Sequence, residues 1–116
     1  MPDPNPHLLR AIQLKQDGQY EPAMDEIRLA LQDTPDCPEA LHQMGLIQGF
    51  TGEFDESIAT LARAVQGDPR SIQCRLDLAL SYSMLGMVDE AKQEFNGVLL
   101  LDPGNDAATK NLAFFD

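Results

Sequence analysis

Apolar residues recur along the chain at the spacing of three to four positions that is typical of amphipathic helices, and glycine or proline interrupts them at regular intervals. Gly18, Gly52 and Gly86 each end one helical segment, and a proline closes every second segment. The pattern predicts an all-α protein built of helical hairpins. The predicted helices cover residues 7–17, 21–32, 38–51, 54–66, 72–85, 89–101 and 106–114.

The hairpins repeat every 34 residues without an inserted or deleted position. Shifting the middle copy by this period places Gly52 on Gly86 and Pro69 on Pro103, and the opposite shift reaches Gly18. Self-similarity at a fixed period predicts units that bury their apolar faces by stacking on one another. The three copies are residues 4–37, 38–71 and 72–105.

The repeats predict a single domain over residues 7–115. Residues 1–6 are predicted to form an extended lead-in, because three prolines in this segment disfavour a helix. Residues 106–115 are predicted to form one capping helix without a following partner. Leu112, Phe114 and Phe115 would then cover the apolar end of the last unit.

Each unit combines a turn of the form Gly-x-aromatic or Gly-x-apolar, a small residue three places later and a proline near its end. This combination resembles the tetratricopeptide repeat over residues 4–105. Ser57 stands where the family usually has alanine, and Arg75 where it usually has a large apolar residue. The resemblance implies a right-handed superhelix, or α-solenoid. In the middle unit the matching residues are Leu41, Met44, Gly45, Phe54, Leu61, Ala64 and Pro69.

The first helix of each unit carries more apolar surface than one core contact needs. In residues 72–85, Leu78 and Ala79 form one stripe, and Leu76 and Leu80 belong to another on nearly the opposite side. In tetratricopeptide proteins the second stripe lines the concave surface, so the resemblance implies a mainly apolar groove for a partner. The candidate groove residues are Leu8, Ile12, His42, Leu46, Phe50, Leu76, Leu80 and Met84, with Phe114 as a further candidate.

Two alternatives to a free groove remain open. Neighbouring side chains would cover part of this stripe in one of them, and the C-terminal helix would occupy the groove in the other. Exposed apolar patches on small proteins usually serve an interaction, which favours the free groove.

The charge of the chain narrows the class of partner. The chain has 19 acidic and 8 basic residues, a net charge of -11. Residues 4–37 hold six acidic and three basic groups, and the other two repeats hold five and two each, so every repeat carries -3. Nucleic acid is not expected as a partner, because phosphate binding needs clustered Lys and Arg. The even spread is typical of a solvated face, and a dedicated acidic docking patch is the alternative.

The resemblance also argues against one familiar ligand. Tetratricopeptide co-chaperones that grip the acidic tails of heat-shock chaperones use Lys, Asn and Arg in the groove. No carboxylate clamp is expected here, because the matching positions contain no cation. The expected partner is a protein or peptide with an apolar or mildly basic segment, such as an amphipathic helix. The matching positions are Leu8, Ile12, Leu46, Gln73 and Asp77.

No catalytic site, metal or cofactor is expected. His7 and His42 lie 35 residues apart and have no acidic or thiol partner at ligand spacing. Cys37 and Cys74 are the only cysteines and are expected to be free thiols. No glycine-rich phosphate loop follows a predicted helix or strand.

The predicted function is therefore non-catalytic protein binding by an adaptor, scaffold or chaperone-like module. The alternative is a structural protein that uses the same apolar surface to form a homo-oligomer. No apolar run approaches the ~18 residues of a membrane span, and the first residues lack the pattern of a signal peptide. A cytoplasmic location is the expectation.

Overall fold

The computed structural model describes residues 5–115, so residues 1–4 of the expected lead-in and residue 116 lie outside the described residues. Within this range the chain is entirely α-helical, as the sequence predicts, and no predicted helix boundary differs by more than one residue. The helices are α1 (Pro6–Gln16), α2 (Tyr20–Asp33), α3 (Pro38–Phe50), α4 (Phe54–Gly67), α5 (Ile72–Met84), α6 (Val88–Leu101) and α7 (Asp106–Phe114).

The first helix begins at Pro6, one residue before the predicted start, so the expected lead-in over residues 1–6 is too long by this residue. Asn5 is the N-cap, and its side chain accepts hydrogen bonds from the backbone N–H groups of His7 and Leu8. Proline is favourable at the first helical position, because the N–H group that it lacks would have no partner there.

The helices pair into three stacked hairpins. α1 packs on α2, α3 on α4 and α5 on α6, while α7 packs on α6 at the end of the stack. Successive hairpins meet where α2 contacts α3 and where α4 contacts α5. The first helices also contact each other, α1 with α3 and α3 with α5, and so form the inner, concave layer. The chain is thus a helical-repeat solenoid, which confirms the predicted fold class.

An apolar core runs along the stack in three segments. Each segment has a large buried residue of a second helix at the same place in the repeat, namely Ile27, Leu61 or Phe95. Small residues of the first helices oppose these side chains and let the two helices of a hairpin approach closely. The small residues are Ala11, Gly45 and Ala79.

The turns inside the hairpins are set by glycine. Gly18, Gly52 and Gly86 have φ angles of 78°, 84° and 74°, in the left-handed region that ends a helix without steric cost. Ser71 caps α5 by accepting a hydrogen bond from the backbone N–H of Cys74, as the sequence predicts. None of the helices in residues 5–115 is long and apolar enough to cross a membrane.

Candidate functional site

An apolar cleft of about 310 Å³ opens on the concave layer between α3, α5 and the beginning of α4. It forms where the second apolar stripes of two neighbouring first helices face each other. We name it the concave cleft. Its lining residues are Gly45, Leu46, Gly49, Phe50, Phe54, Ser57, Leu61, Asp77, Leu80, Ser81 and Met84.

The rim of the concave cleft exposes large apolar side chains to water. Phe50 is 61% exposed and Met84 is 72% exposed, and Phe54 and Leu80 each exceed 40%. A helix that is apolar on its outward side is either buried by a neighbour or offers that side to a ligand. Within residues 5–115 these rim side chains stay exposed, and the main contact of α7 is with α6 at the end of the stack.

The aromatic ring of Phe50 is held in place by the first hairpin. The rings of Tyr20 and Phe50 lie 5.7 Å apart between centroids and are tilted by 31°. Such pairs contribute about 0.5 to 1.5 kcal/mol beyond the buried area. This contact restricts the position of the exposed ring, and a restricted side chain costs less entropy when a ligand binds to it.

The polar groups in the cleft wall are satisfied by the protein itself. Ser57 Oγ donates to the carbonyl oxygen of Gly45 at 2.7 Å, and Ser81 Oγ donates to that of Asp77 at 2.9 Å. The carboxylate of Asp77 accepts from His42 Nε2 at 2.7 Å and from Gln73 Nε2 at 3.1 Å. The surface that the cleft offers to a ligand is consequently mainly apolar.

His42 and Asp77 join α3 to α5 across the concave layer. Each side chain is only 17% exposed, so the pair is largely shielded from water. This pairing fixes the distance between the two helices that form the walls of the concave cleft. His42 therefore contacts a residue of the cleft wall, Asp77, and is not itself among the lining residues.

The predicted groove residues divide into two sets. Leu46, Phe50, Leu80 and Met84 line the concave cleft together. The other four, Leu8, Ile12, His42 and Leu76, do not line it. Leu8 packs against the core of the first hairpin and Leu76 against that of the third, so both are partly covered by neighbours.

Sequence reasoning missed two important members of the cleft. Phe54 was interpreted only as the aromatic residue of the turn, yet it lines the cleft at the start of α4. Asp77 was considered only as a position without a cation, yet it forms part of the wall. The spacing from Asp77 to Ser81 and Met84, at four and seven residues along one helix, could have indicated a shared face.

A lysine close to the concave layer is already engaged. Lys15 Nζ donates a hydrogen bond to Gln43 Oε1 at 2.5 Å. Burial lowers the pKa of Lys15, and the charge of Asp77 opposes this by raising it. Because its ammonium group is partly buried and bonded to Gln43, Lys15 is poorly placed to grip a carboxylate of a ligand.

The His, Cys, Asp and Glu side chains of the described residues are the groups that could serve as ligands of a metal ion. Within residues 5–115 no three His, Cys, Asp or Glu side chains are grouped so that they could hold a metal ion. Burial raises the pKa of Cys74 to about 11, and burial also raises the pKa of Cys37. Both thiols therefore stay protonated at neutral pH and are weak nucleophiles.

The fold and the concave cleft together define a helical-repeat protein with an apolar inner surface, an architecture that serves protein interaction. A family model described as tetratricopeptide repeat matches residues 51–114, more than half of the chain. The chain belongs to the tetratricopeptide repeat family.

Two curated relatives are similar to the chain. Protein CTR9 homolog of Arabidopsis thaliana is 33% identical over 102 residues, which are 85% of this chain and 9% of that protein. Aspartyl/asparaginyl beta-hydroxylase of Mus musculus is 33% identical over 87 residues, 71% of this chain and 12% of that protein. The chain spans about a tenth of the length of these relatives.

Among solved structures, the first TPR domain of Spaghetti (RPAP3), bound to the HSP90 peptide SRMEEVD, is similar with a TM-score of 0.85. The two chains are 20% identical, and the match covers 92% of this chain and 85% of that one. A likeness at this level of identity shows the fold alone.

Proposed function

We propose that this chain is a non-catalytic interaction module that binds an apolar, mildly basic segment of a partner protein in the concave cleft. One observation carries the proposal. Leu46, Phe50, Leu80 and Met84 expose apolar surface around a single cleft whose polar wall groups already have partners. Apolar clefts that have few free polar groups are typical of sites for amphipathic helices and peptides.

The size of the concave cleft fits the anchoring side chains of a peptide. About 310 Å³ lies at the lower end of the volumes of ligand pockets, roughly 300 to 1,000 Å³. A cleft of this size takes one or two large apolar side chains. The remainder of the bound segment would rest on the exposed rim formed by Phe50 and Met84.

The charge of the chain supports a basic segment. With a net charge of -11, the protein attracts cationic partners and repels anionic ones over a distance of about a Debye length. An acidic tail would meet this repulsion without a clamp of cations to offset it. The Spaghetti domain is bound to a peptide that ends in Glu-Glu-Val-Asp, and the proposed ligand here differs from that peptide in the sign of its charge.

The experiment compares two double variants that make the same change in charge. Leu46→Glu with Leu80→Glu places two carboxylates in the concave cleft. Leu29→Glu with Leu100→Glu places them on exposed parts of α2 and α6, outside the cleft. Proteins captured from a lysate by the unaltered chain are identified by mass spectrometry, and binding is then measured with the purified partner.

The proposal predicts that the cleft variant loses the partner and that the control variant keeps it, while circular dichroism shows that both remain helical. Equal binding by both variants would place the interaction outside the cleft. Phe50→Gln with Met84→Gln repeats the test at the most exposed rim positions, where a polar side chain does not disturb the core. Sedimentation of the free protein as a dimer through this surface would favour the alternative of self-association.

A further inference from the structure

The turns between the first and second helices become more apolar from the first repeat to the third. At equivalent places the first turn reads Gln-Asp-Gly-Gln-Tyr, the second Phe-Thr-Gly-Glu-Phe and the third Met-Leu-Gly-Met-Val. Solvent-facing turns are normally polar, so the third turn is unusual. Its apolar residues, Met84, Leu85, Met87 and Val88, are defined here as the turn edge.

All four side chains of the turn edge are exposed. Met84 is 72% exposed, and the other three are between 37% and 41% exposed. Four exposed apolar side chains within five consecutive residues are unusual in a turn, and clustered apolar exposure on a protein surface often marks an interaction site. Met84 belongs both to the turn edge and to the concave cleft, so the two surfaces are continuous.

The backbone holds the turn edge in a fixed shape. Gly86 takes a left-handed conformation with φ of 74°, and the N–H of Met87 donates to the carbonyl oxygen of Tyr82 at 2.9 Å. The N–H of Gly86 donates to the carbonyl oxygen of Ser83 at 3.1 Å. A partner therefore meets an ordered surface, and flexible thioether side chains let that surface adapt to the shape of the partner.

Carboxylates flank this apolar surface. Asp89 and Glu90 stand in the first turn of α6, and Asp55 and Glu56 in the first turn of α4. No ion pair found in residues 5–115 involves any of these four groups. The helix dipole explains why acidic residues are favoured there. Asp89 and Glu90 directly follow the turn edge in the chain, and Asp55 and Glu56 directly follow Phe54 of the concave cleft, so their negative charge favours a cationic partner.

We infer that the docking surface runs from the concave cleft over the turn edge, and that its occupant is an amphipathic helix of a partner protein with Lys or Arg bordering the apolar face. This inference rests on the proposed function, because the cleft supplies half of the surface. An anionic membrane does not fit, since the carboxylates would be repelled from it. A second copy of this chain is disfavoured by the charge of -11 that both copies carry.

The probe for this inference is a designed peptide of about fourteen residues, roughly 21 Å long as a helix, with leucine on one face and lysine on the other. A matched peptide carries glutamate in place of each lysine. Their dissociation constants are measured by calorimetry at physiological salt. Three neutral variants of the protein are compared: Leu85→Gln with Met87→Gln at the turn edge, Leu46→Gln with Leu80→Gln in the cleft, and Leu29→Gln with Leu100→Gln as the control.

The inference predicts that the lysine peptide binds and the glutamate peptide does not. The edge variant and the cleft variant should each weaken binding by about tenfold or more, and the control variant should bind like the unaltered protein. Full affinity in the edge variant, combined with loss in the cleft variant, would overturn the inference and leave the proposed function standing. Full affinity in both the edge variant and the cleft variant would overturn the inference and the proposed function together. Equal binding of the two peptides would overturn the selection of the partner by charge.

Discussion

At the scale of single residues, the packing between the two helices of a hairpin depends on one small residue in the first helix. In the second repeat this residue is Gly45, where the first and third repeats have Ala11 and Ala79. A Cβ atom at Gly45 would lie 2.6 Å from Cγ and Cδ2 of Leu61, which is 1% exposed, so the Leu61 side chain would have to shift from its packed position. The second hairpin is therefore packed more tightly than the others at this point.

Replacing Gly45 with alanine is expected to destabilise the protein, while replacing Gly49 in the same helix is expected to stabilise it. Alanine raises helix propensity at either site by about 1 kcal/mol. At Gly45 this gain is outweighed by overpacking, which typically costs about 1 to 3 kcal/mol. At Gly49 the new Cβ atom meets only Ser57 Oγ at 3.4 Å.

Urea unfolding of the two single variants measures this difference directly. We expect the free energy of unfolding of Gly45→Ala to be lower than that of Gly49→Ala by about 1 kcal/mol or more. Equal stability of the two variants would show that Leu61 can move away without cost.

Deprotonation of Cys74 is expected to lower the stability of the folded protein at alkaline pH. Burial raises the pKa of this thiol to about 11 from its ordinary value of 9.0, so the folded state keeps the proton to higher pH than the unfolded state does. The contribution is complete below about pH 9 and is lost as the pH rises through about 11. The complete loss, at a pH well above 11, amounts to about 3 kcal/mol.

Urea unfolding between pH 8 and pH 11 under reducing conditions tests this expectation. The stability of the unaltered protein should fall more steeply across this range than that of Cys74→Ala, because Cys37 and Tyr82 titrate in both proteins. Parallel pH profiles would show that the Cys74 thiol titrates alike in the folded and unfolded states.

The residue types of the repeat predict which positions lie in the core. They do not predict the contacts made by a residue that departs from the family pattern. Ser57 stands where the family usually has alanine, and the sequence offers no reason for the hydroxyl group. The structure shows that Ser57 Oγ donates to the carbonyl oxygen of Gly45 at 2.7 Å. Hydrogen bonds between distant residues follow from tertiary packing, and periodicity contains no information about them.

At the scale of helices, the boundaries follow from local chemistry and were predictable to within one residue. Glycine in a left-handed conformation and proline near a helix end act within a few positions, so their effect can be deduced from sequence alone. The cap at Ser71 was found in this way. The cap at Asn5 was missed, because the prolines around it were interpreted as an extended segment.

The cap at Asn105 stabilises α7, the helix that covers the end of the stack. Asn105 Oδ1 accepts a hydrogen bond from the backbone N–H of Ala108 at 2.9 Å. Ala108 is fully buried, and Phe115 after α7 packs on Phe95 with 6.4 Å between the ring centroids. Loosening α7 would therefore expose the core of the third hairpin.

Asn105→Ala is expected to lower the free energy of unfolding by about 1 kcal/mol, the usual cost of losing an N-cap. Hydrogen exchange of the α7 amides should also become faster than in the unaltered protein, while exchange in α3 serves as the internal reference. Lys110→Ala in the same helix serves as the control and should change little, because its ion pair with Asp106 is exposed to solvent. Unchanged exchange in α7 would show that its packing on α6 alone holds the helix.

At the scale of the whole molecule, the stack follows from the repeat, whereas the site depends on how much each neighbour covers. The apolar stripe on the first helices was visible in the sequence. The sequence did not show which members of this stripe stay exposed. Leu8 and Leu76, for example, are partly covered by residues from other helices. Phe54, at the start of α4, lines the cleft because the packing of α4 on α3 brings it there. Helical spacing thus predicts a face, and tertiary packing decides which part of it can bind.

The exposed apolar residues of the concave cleft are distributed unevenly along the stack of hairpins. Phe50, Phe54, Leu80 and Met84 lie on the second and third hairpins, while the first hairpin offers a polar turn. A bound segment is therefore expected to lie toward the third repeat and not at the centre of the concave layer. Because the whole chain is negatively charged, we expect an acidic segment to bind less well than a neutral or basic one.

The most direct test of the central claim is an amide chemical-shift map of the ¹⁵N-labelled protein during titration with the purified partner segment. We expect the shift changes to concentrate on Leu46, Phe50, Phe54, Leu80 and Met84. The amides of Leu29 and Leu100 on the second helices should stay unchanged. Changes confined to the second helices, with the residues of the concave cleft unaffected, would contradict the central claim.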